Sequence, residues 1–314
     1  MRFGTIFRTR RLYAHYFVLQ SGIHAVSAPT RIAVLLTLVV GGWGVRAHGG
    51  DRLEWTGAVT QIEGAAGGGL TPWALVGGLG TDDETGATAF ATYLGTQDFA
   101  LRTWGAGVAF DDRVELSVAR QRFDAGSVVP GLTLGQDIVG MKVRLAGDAV
   151  FAPDEILPQL AVGAQWKRTL DFGQIPEAVG AAHGSDVDLY IAATKVYFAA
   201  LAGHNVILDA TLRRTRANQF GLLGFGSTAP GGDGYSYVPE ASAAVWLNEQ
   251  FLLGGEYRDK PSNLSAFREN GAGDVFLAWG PLKDLTITTA WTDLGSIAGK
   301  ASQRGIYVSL WLGL

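Results

Sequence analysis

The chain ends on "QRGIYVSLWLGL" (residues 303–314), and the fold turns on how those twelve residues are read. Ile306, Val308, Leu310, Leu312 and Leu314 take every second position, with Tyr307, Ser309, Trp311 and Gly313 between them. Alternation of this kind marks a strand with two unlike faces. A strand with an apolar face and no polar tail needs a neighbour for its backbone and an apolar surrounding for that face. A closed barrel in a lipid bilayer supplies both, because hydrocarbon tolerates no open sheet edge. The last strand is therefore expected to pair with the first.

The same alternation recurs upstream. In "LTITTAWT", Leu285, Ile287, Thr289 and Trp291 share one face, opposite Thr286, Thr288, Ala290 and Thr292. "VELSVARQ" sets Val114, Leu116 and Val118 against Glu115, Ser117 and Ala119. "VGMKVRL", "LAVGAQWK" and "NVILDATL" repeat the pattern, whereas "VDLYIAATKVYF" changes phase near its middle, as a bulge would make it do. Connections alternate in length as well. Tight turns are expected at 111–113, 248–250 and 281–284, and shorter connections at 147–157 and around 199–204. Loops are expected at 124–136, 169–186, 216–235, 259–273 and 295–302. Outer-membrane barrels sort their connections this way, with short turns on the periplasmic side and long loops outside. The expected fold is all-β, a transmembrane antiparallel up-and-down barrel. Twelve strands follow from residues 88–95 onward. Adding "LEWTGAVTQI" (53–62) and "WALVGGLGT" (73–81) makes fourteen, the preferred count, with "EGAAGGGL" (63–70) an external loop or part of an inward-folded segment.

Composition agrees with an exported chain. The 314 residues include 44 Gly and no Cys, which removes disulfides, thiolate metal sites and cysteine nucleophiles. Residues 1–47 carry six Arg and no acid, which leaves 19 basic against 29 acidic residues beyond them, a formal charge of −10. Arg31 precedes "IAVLLTLVVGGWGV", and Val45 and Ala47 fit a small-residue cleavage site. The expected division is a signal peptide over 1–47, long for its kind, and a barrel over 48–314. The acidic body argues against nucleic acid as a partner.

"QIEGAAGGGLTPWALVGGLGT" and "DDRVELSVARQRFD" resemble an uncharacterised family of Gram-negative outer-membrane proteins, a domain of unknown function. The resemblance spans essentially the whole mature chain. It implies the bacterial outer membrane and a barrel, and carries no activity with it. Within the terminal strand, Gln303, Gly305, Val308 and Leu310 resemble the signal read by the barrel-assembly machinery, although Leu314 replaces the usual terminal aromatic.

Catalytic chemistry finds little support. His48, His183 and His204 are the three His beyond residue 47, and they are expected at separate places. An enzyme is not expected, and neither a cofactor nor a metal is implied. Neither "EGAAGGGL" nor "GLLGFGSTAPGGDG" stands in the strand–loop–helix context of a phosphate cradle. The charges that must avoid lipid are Glu115, Lys142, Arg144, Lys167, Asp209, Arg213, Glu240, Glu256 and Arg258, since Arg or Lys facing lipid at midplane costs about 2–4 kcal/mol. They are expected to line the lumen. Trp55, Trp73, Trp166, Tyr257, Trp279, Trp291 and Trp311 are expected in aromatic girdles. The expected partners are outer-membrane lipid and the assembly machinery, for a monomer. The leading functional expectation is a passive channel or porter for small solutes. The alternative is a structural or adhesive barrel with a salt-bridge-plugged lumen and loop-borne contacts.

Overall fold

A computed structural model describes residues 59–314. The expected signal peptide, Trp55 and His48 lie outside them. Two short strands, β1 (Val59–Thr60) and β2 (Ala66–Gly67), pair with each other and stand apart from the main sheet. That sheet comprises β3 (Thr85–Thr96), β4 (Ala100–Phe110), β5 (Val114–Asp124), β6 (Thr133–Ala146), β7 (Gln159–Thr169) and β8 (Ser185–Leu201). It continues through β9 (His204–Thr215), β10 (Ser236–Trp246), β11 (Phe251–Arg258), β12 (Ala272–Leu282), β13 (Leu285–Asp293) and β14 (Arg304–Gly313). Each strand pairs antiparallel with its sequence neighbours, and β14 pairs with β3 from Gly305↔Thr96 to Gly313↔Thr88, which closes the barrel.

The strands follow from their alternation. Leu116, Val139, Met141, Leu189, Leu208 and Leu310 are exposed on the outside, while the residues next to them turn inward. Leucines could stay so exposed only in hydrocarbon, and the closed sheet satisfies the backbone there. Connection length is sorted by end. One end has the turns at 111–113, 202–203, 247–250 and 283–284 and the connection 147–158; the other has 125–132, 170–184, 216–235, 259–271 and 294–303, with 97–99 as its one short turn. Between Phe110 and Arg113, Asp111 and Asp112 both take positive φ, as a two-residue hairpin turn requires.

The barrel has twelve strands, not fourteen. Residues 73–81 do not form a wall strand, and 59–62 contribute only β1. Trp73, Ala74, Leu75 and Val76 are all buried, so this run lacks the lipid-facing half that every wall strand shows. The inward-folded reading of "EGAAGGGL" is the one adopted: every residue from Thr60 to Gly80 is buried. The aromatic girdle also needs revision. Trp166, Tyr257, Trp279 and Trp291 are exposed on the outside, but Trp73 and Trp311 are buried. Trp311 shares its face with Tyr307 and Ser309, the inner side of β14, as strand periodicity dictates.

The phase change in β8 has a different cause from the one expected. Pairing with β9 stays in register from Leu189 to Tyr197, with irregularity only between Tyr197 and Leu201. Lys195 is buried because the 147–158 connection covers it: its Nζ donates to the carbonyls of Asp148 and Ala152 at 3.1 and 2.7 Å.

Candidate functional site

The lumen is where the chain departs from a simple barrel. Gly80 leads into β3 at the short-turn end, and the preceding segment fills the interior as a plug. Irregular backbone inside a barrel needs a partner for each polar group. The wall provides them with side chains. The Glu115 carboxylate accepts from the Ala66 and Gly77 N–H groups, both at 2.9 Å. Lys142 Nζ donates to the Ala66 and Leu75 carbonyls at 2.7 and 2.8 Å. Gln121 holds the Ile62 carbonyl, Gln159 that of Ala74, and Thr211 that of Pro72. Thr194 accepts from the Ala74 N–H at 2.7 Å and donates to Asp209.

The plug's one acid in this segment, Glu63, anchors its upper part. Its carboxylate meets Lys167 at 2.5 Å, Arg258 at 2.9 Å and, farther off, Arg213 at 3.8 Å. Those cations also meet wall acids, Lys167 with Asp188 at 2.7 Å and Arg213 and Arg258 with Glu240. Glu256 grips the glycine run, accepting from the Leu70 N–H at 2.5 Å and the Thr71 hydroxyl at 3.1 Å. Gly68 leaves room for that grip, since a Cβ there would lie 1.4 Å from a Glu256 oxygen and would push the carboxylate aside. Tight packing therefore explains the glycines of "EGAAGGGL".

Eight of the nine charges expected in the lumen, Glu115, Lys142, Lys167, Asp209, Arg213, Glu240, Glu256 and Arg258, are buried inside the barrel. Arg144 is not with them. It sits at the short-turn rim, bonded to Asp112 at 2.5 Å and Asp148 at 2.9 Å. Glu63, Gln121, Gln159, Thr194 and Thr211 were missed by sequence reasoning. The wall members among them carried a usable signal, a polar residue at an inward position of an alternating strand. Glu63 carried none, because the path of the plug is not periodic.

A second stopper comes from the long-loop end. Residues 217–227 fold into the barrel mouth and are buried except for the half-buried Phe220. The Phe220 carbonyl accepts from Gln136, and Arg258 lies over the Phe220 ring. Gln219 and Phe220 hold positive φ of 47° and 61°, a left-handed conformation that non-glycine residues adopt at a cost. The Glu269 carboxylate fixes that turn by accepting from the Gln219 N–H at 3.1 and 3.0 Å. Burial pushes Glu269 up to about 7 and, working on the opposite charge, lowers the neighbouring Lys260 to about 8. Between plug and loop remains a cavity of about 50 Å³, bordered by Ile62, Phe99, Phe123, Phe220 and Leu222.

The other expected residues are placed as follows. Gln303 closes the seam between β14 and β3, accepting from the Thr96 hydroxyl and donating to Asp98, each at 2.9 Å. Gly305 allows the two strands to approach, since a Cβ there would lie 1.8 Å from the Gly95 carbonyl. Val308 and Leu310 are exposed on the outer face. His183 bonds Asp233 in the long-loop region, while His204 bonds the Trp246 carbonyl at the short-turn end.

Closure without an edge, an apolar exterior and sorted connections define a membrane-spanning β-barrel of the outer-membrane kind. The chain belongs to the family described as Protein of unknown function (DUF3034), whose model matches residues 56–311. Among curated proteins none matches it. In fold it is similar to the NanC porin, with 10% identity, 72% of this chain and 97% of that chain covered, and a TM-score of 0.44. It is also similar to the outer-membrane protein Omp33 of Acinetobacter baumannii, at 9% identity, coverage of 73% and 97%, and a TM-score of 0.40. A FadL homologue of Pseudomonas aeruginosa aligns at 10% identity over 73% of this chain and 88% of that one, with a TM-score of 0.32.

Proposed function

We propose that this chain is a barrel of the bacterial outer membrane, closed at rest by its own residues 60–80, with its external loops as the working surface. The observation that carries this reading is the unbroken burial of Thr60–Gly80 together with the pairing of the lumen cations Lys142, Lys167, Arg213 and Arg258. A constitutive ion path would need a continuous wet lumen with charges left to face it. Here Lys142, Lys167, Arg213 and Arg258 each meet a carboxylate of the wall or plug.

A passive route for small solutes is the second reading, and the chemistry of the plug–wall contact favours it. Gln121, Gln159, Thr194, Thr211, Glu115 and Lys142 hold the plug through hydrogen bonds. Water can replace such bonds at modest net cost, whereas an apolar seal would resist wetting. Displacing the plug would then leave a hydrophilic passage.

Planar-bilayer recording of the refolded chain tests both. The intact barrel is expected to show no steady conductance. A variant lacking residues 59–80, kept only if it still gives a heat-modifiable band, separates the readings: conductance supports a releasable plug, and silence supports a purely structural barrel. Steady conductance of the intact chain would overturn closure at rest.

A further inference from the structure

The outer face of β4 and β5 carries an arrangement that the closed lumen does not explain. Arg102 and Arg122 stand directly opposite each other across these strands, and both are exposed. Their chain neighbours Leu101, Thr103 and Gln121 are buried, which puts both guanidinium groups on the outside of the wall. Like charges directly opposite destabilise a sheet. Among the described residues no carboxylate lies within ion-pairing distance of either one. Arg168, on the outer face of β7, stands opposite Asp137, but both oxygens of that carboxylate are taken by Arg120. Arg120 pairs with Asp137 at 2.6 Å in the same patch. The remaining acid on this face of β5, Asp124, is turned to the Gly126 N–H at 2.9 Å. Three free cations are left.

Their height supplies the counter-ion. On the neighbouring strands Tyr93 faces Arg102 and Trp104 faces Arg120, and both aromatics are exposed. Trp166 lies two residues from Arg168 on the same face and is exposed as well. Exposed aromatics beside cations near a strand end mark the depth of lipid head groups. This is the long-loop end, which in such barrels faces outside. From β4 to β7 the patch crosses three strand spacings, about 14 Å at 4.7–4.9 Å each. We infer that Arg102, Arg122 and Arg168 form a docking surface for the diphosphorylated disaccharide head group of an outer-leaflet glycolipid of the lipid A type. One phosphate bridges Arg102 and Arg122 and turns their repulsion into charge-assisted hydrogen bonds, and the second reaches Arg168. The inference rests on the proposed outer-membrane location but not on the state of the lumen.

Native mass spectrometry of the full barrel in nonionic detergent provides the test, with diphosphoryl lipid A, its dephosphorylated form, phosphatidylglycerol and inorganic phosphate as probes. Diphosphoryl lipid A is expected to bind at least tenfold tighter than the other three. The Arg102→Gln/Arg122→Gln variant should lose about tenfold in that affinity while keeping its heat-modifiable band. Arg102→Glu supplies a second arm. It replaces repulsion by a cross-strand ion pair, so it should raise the lipid-free unfolding temperature and abolish binding. Unchanged binding by either variant, or equal binding of any control probe, would overturn the inference. Loss of location alone would show separately, as absence from outer-membrane fractions with lipid binding in detergent intact.

Discussion

The two faces of the wall obey different rules, and neighbours on one strand show it. On β5 and β6, Leu116 and Met141 face outward with no specific partner, while Glu115 and Lys142 face inward and hold the plug through named bonds. Across the middle of the wall the outer face asks only that a side chain be apolar, so many sequences satisfy it. Inside, most charged and amide groups meet a particular atom, because leaving one unpaired costs about 1–3 kcal/mol. Substitution outside should therefore be graded by depth, and substitution inside by the partner left behind.

The largest test removes the surface that keeps the two faces apart. Deleting residues 305–314 strips β14 from both β13 and β3 and leaves two open edges in hydrocarbon. Complete loss of the heat-modifiable band is expected, since several unpaired backbone groups exceed the about 5–15 kcal/mol that stabilises a domain. Normal assembly of the truncated chain would mean that β14 does not close the barrel.

Glu63→Ala probes the inner rule. It leaves Lys167 and Arg258 short of a buried partner, which should cost about 3–5 kcal/mol. Urea unfolding in detergent measures it, and protease nicking between residues 60 and 80 should rise in parallel. A loss below 1 kcal/mol on the order-of-magnitude scale of exposed pairs would show that the network is not what holds the plug.

The outer rule predicts a gradient. Leu208→Arg, near the middle of β9, should cost about 2–4 kcal/mol, whereas Leu312→Arg, near the end of β14, should cost roughly 0–1 kcal/mol. Equal losses at the two sites would break the depth argument. Gly68→Ala should lie between these, about 1–3 kcal/mol, because the added methyl must displace the Glu256 carboxylate.

A pH-dependent effect is expected in the outer loop. Burial raises Glu269 from its ordinary 4.5 to about 7, so between those values the folded chain keeps a proton that the unfolded chain has released. Stability should fall as pH rises through that window. Thermal unfolding at pH 5 and pH 7.5 measures the drop, and Glu269→Gln should flatten it. An unchanged slope in that variant would assign the dependence to other groups.

Legibility followed the same division. The loop 216–235 and the turn 111–113 could be located in advance, since alternation stops there and turn residues begin. The strand count was misjudged at "WALVGGLGT", where a hydrophobic run flanked by glycine has the length of a strand but not its two-sided pattern. Trp311 was misassigned for a related reason: the aromatic type suggested a girdle, although its position beside Tyr307 and Ser309 already placed it inside.

By itself the sequence determined the β class and, on the strands that alternate cleanly, which face meets lipid, because both depend on a local period of two. Tertiary structure decided which strand the last one closes on: the preferred count of fourteen begins the barrel at 53–62, whereas β14 pairs with β3. Tertiary structure alone decided that Thr60–Gly80 fills the lumen, that Glu63 meets Lys167 and Arg258, and that residues 217–227 close the mouth. Those contacts join residues roughly forty to two hundred positions apart through irregular backbone, where no periodicity records the path, and only the shape of the closed barrel brings the partners together.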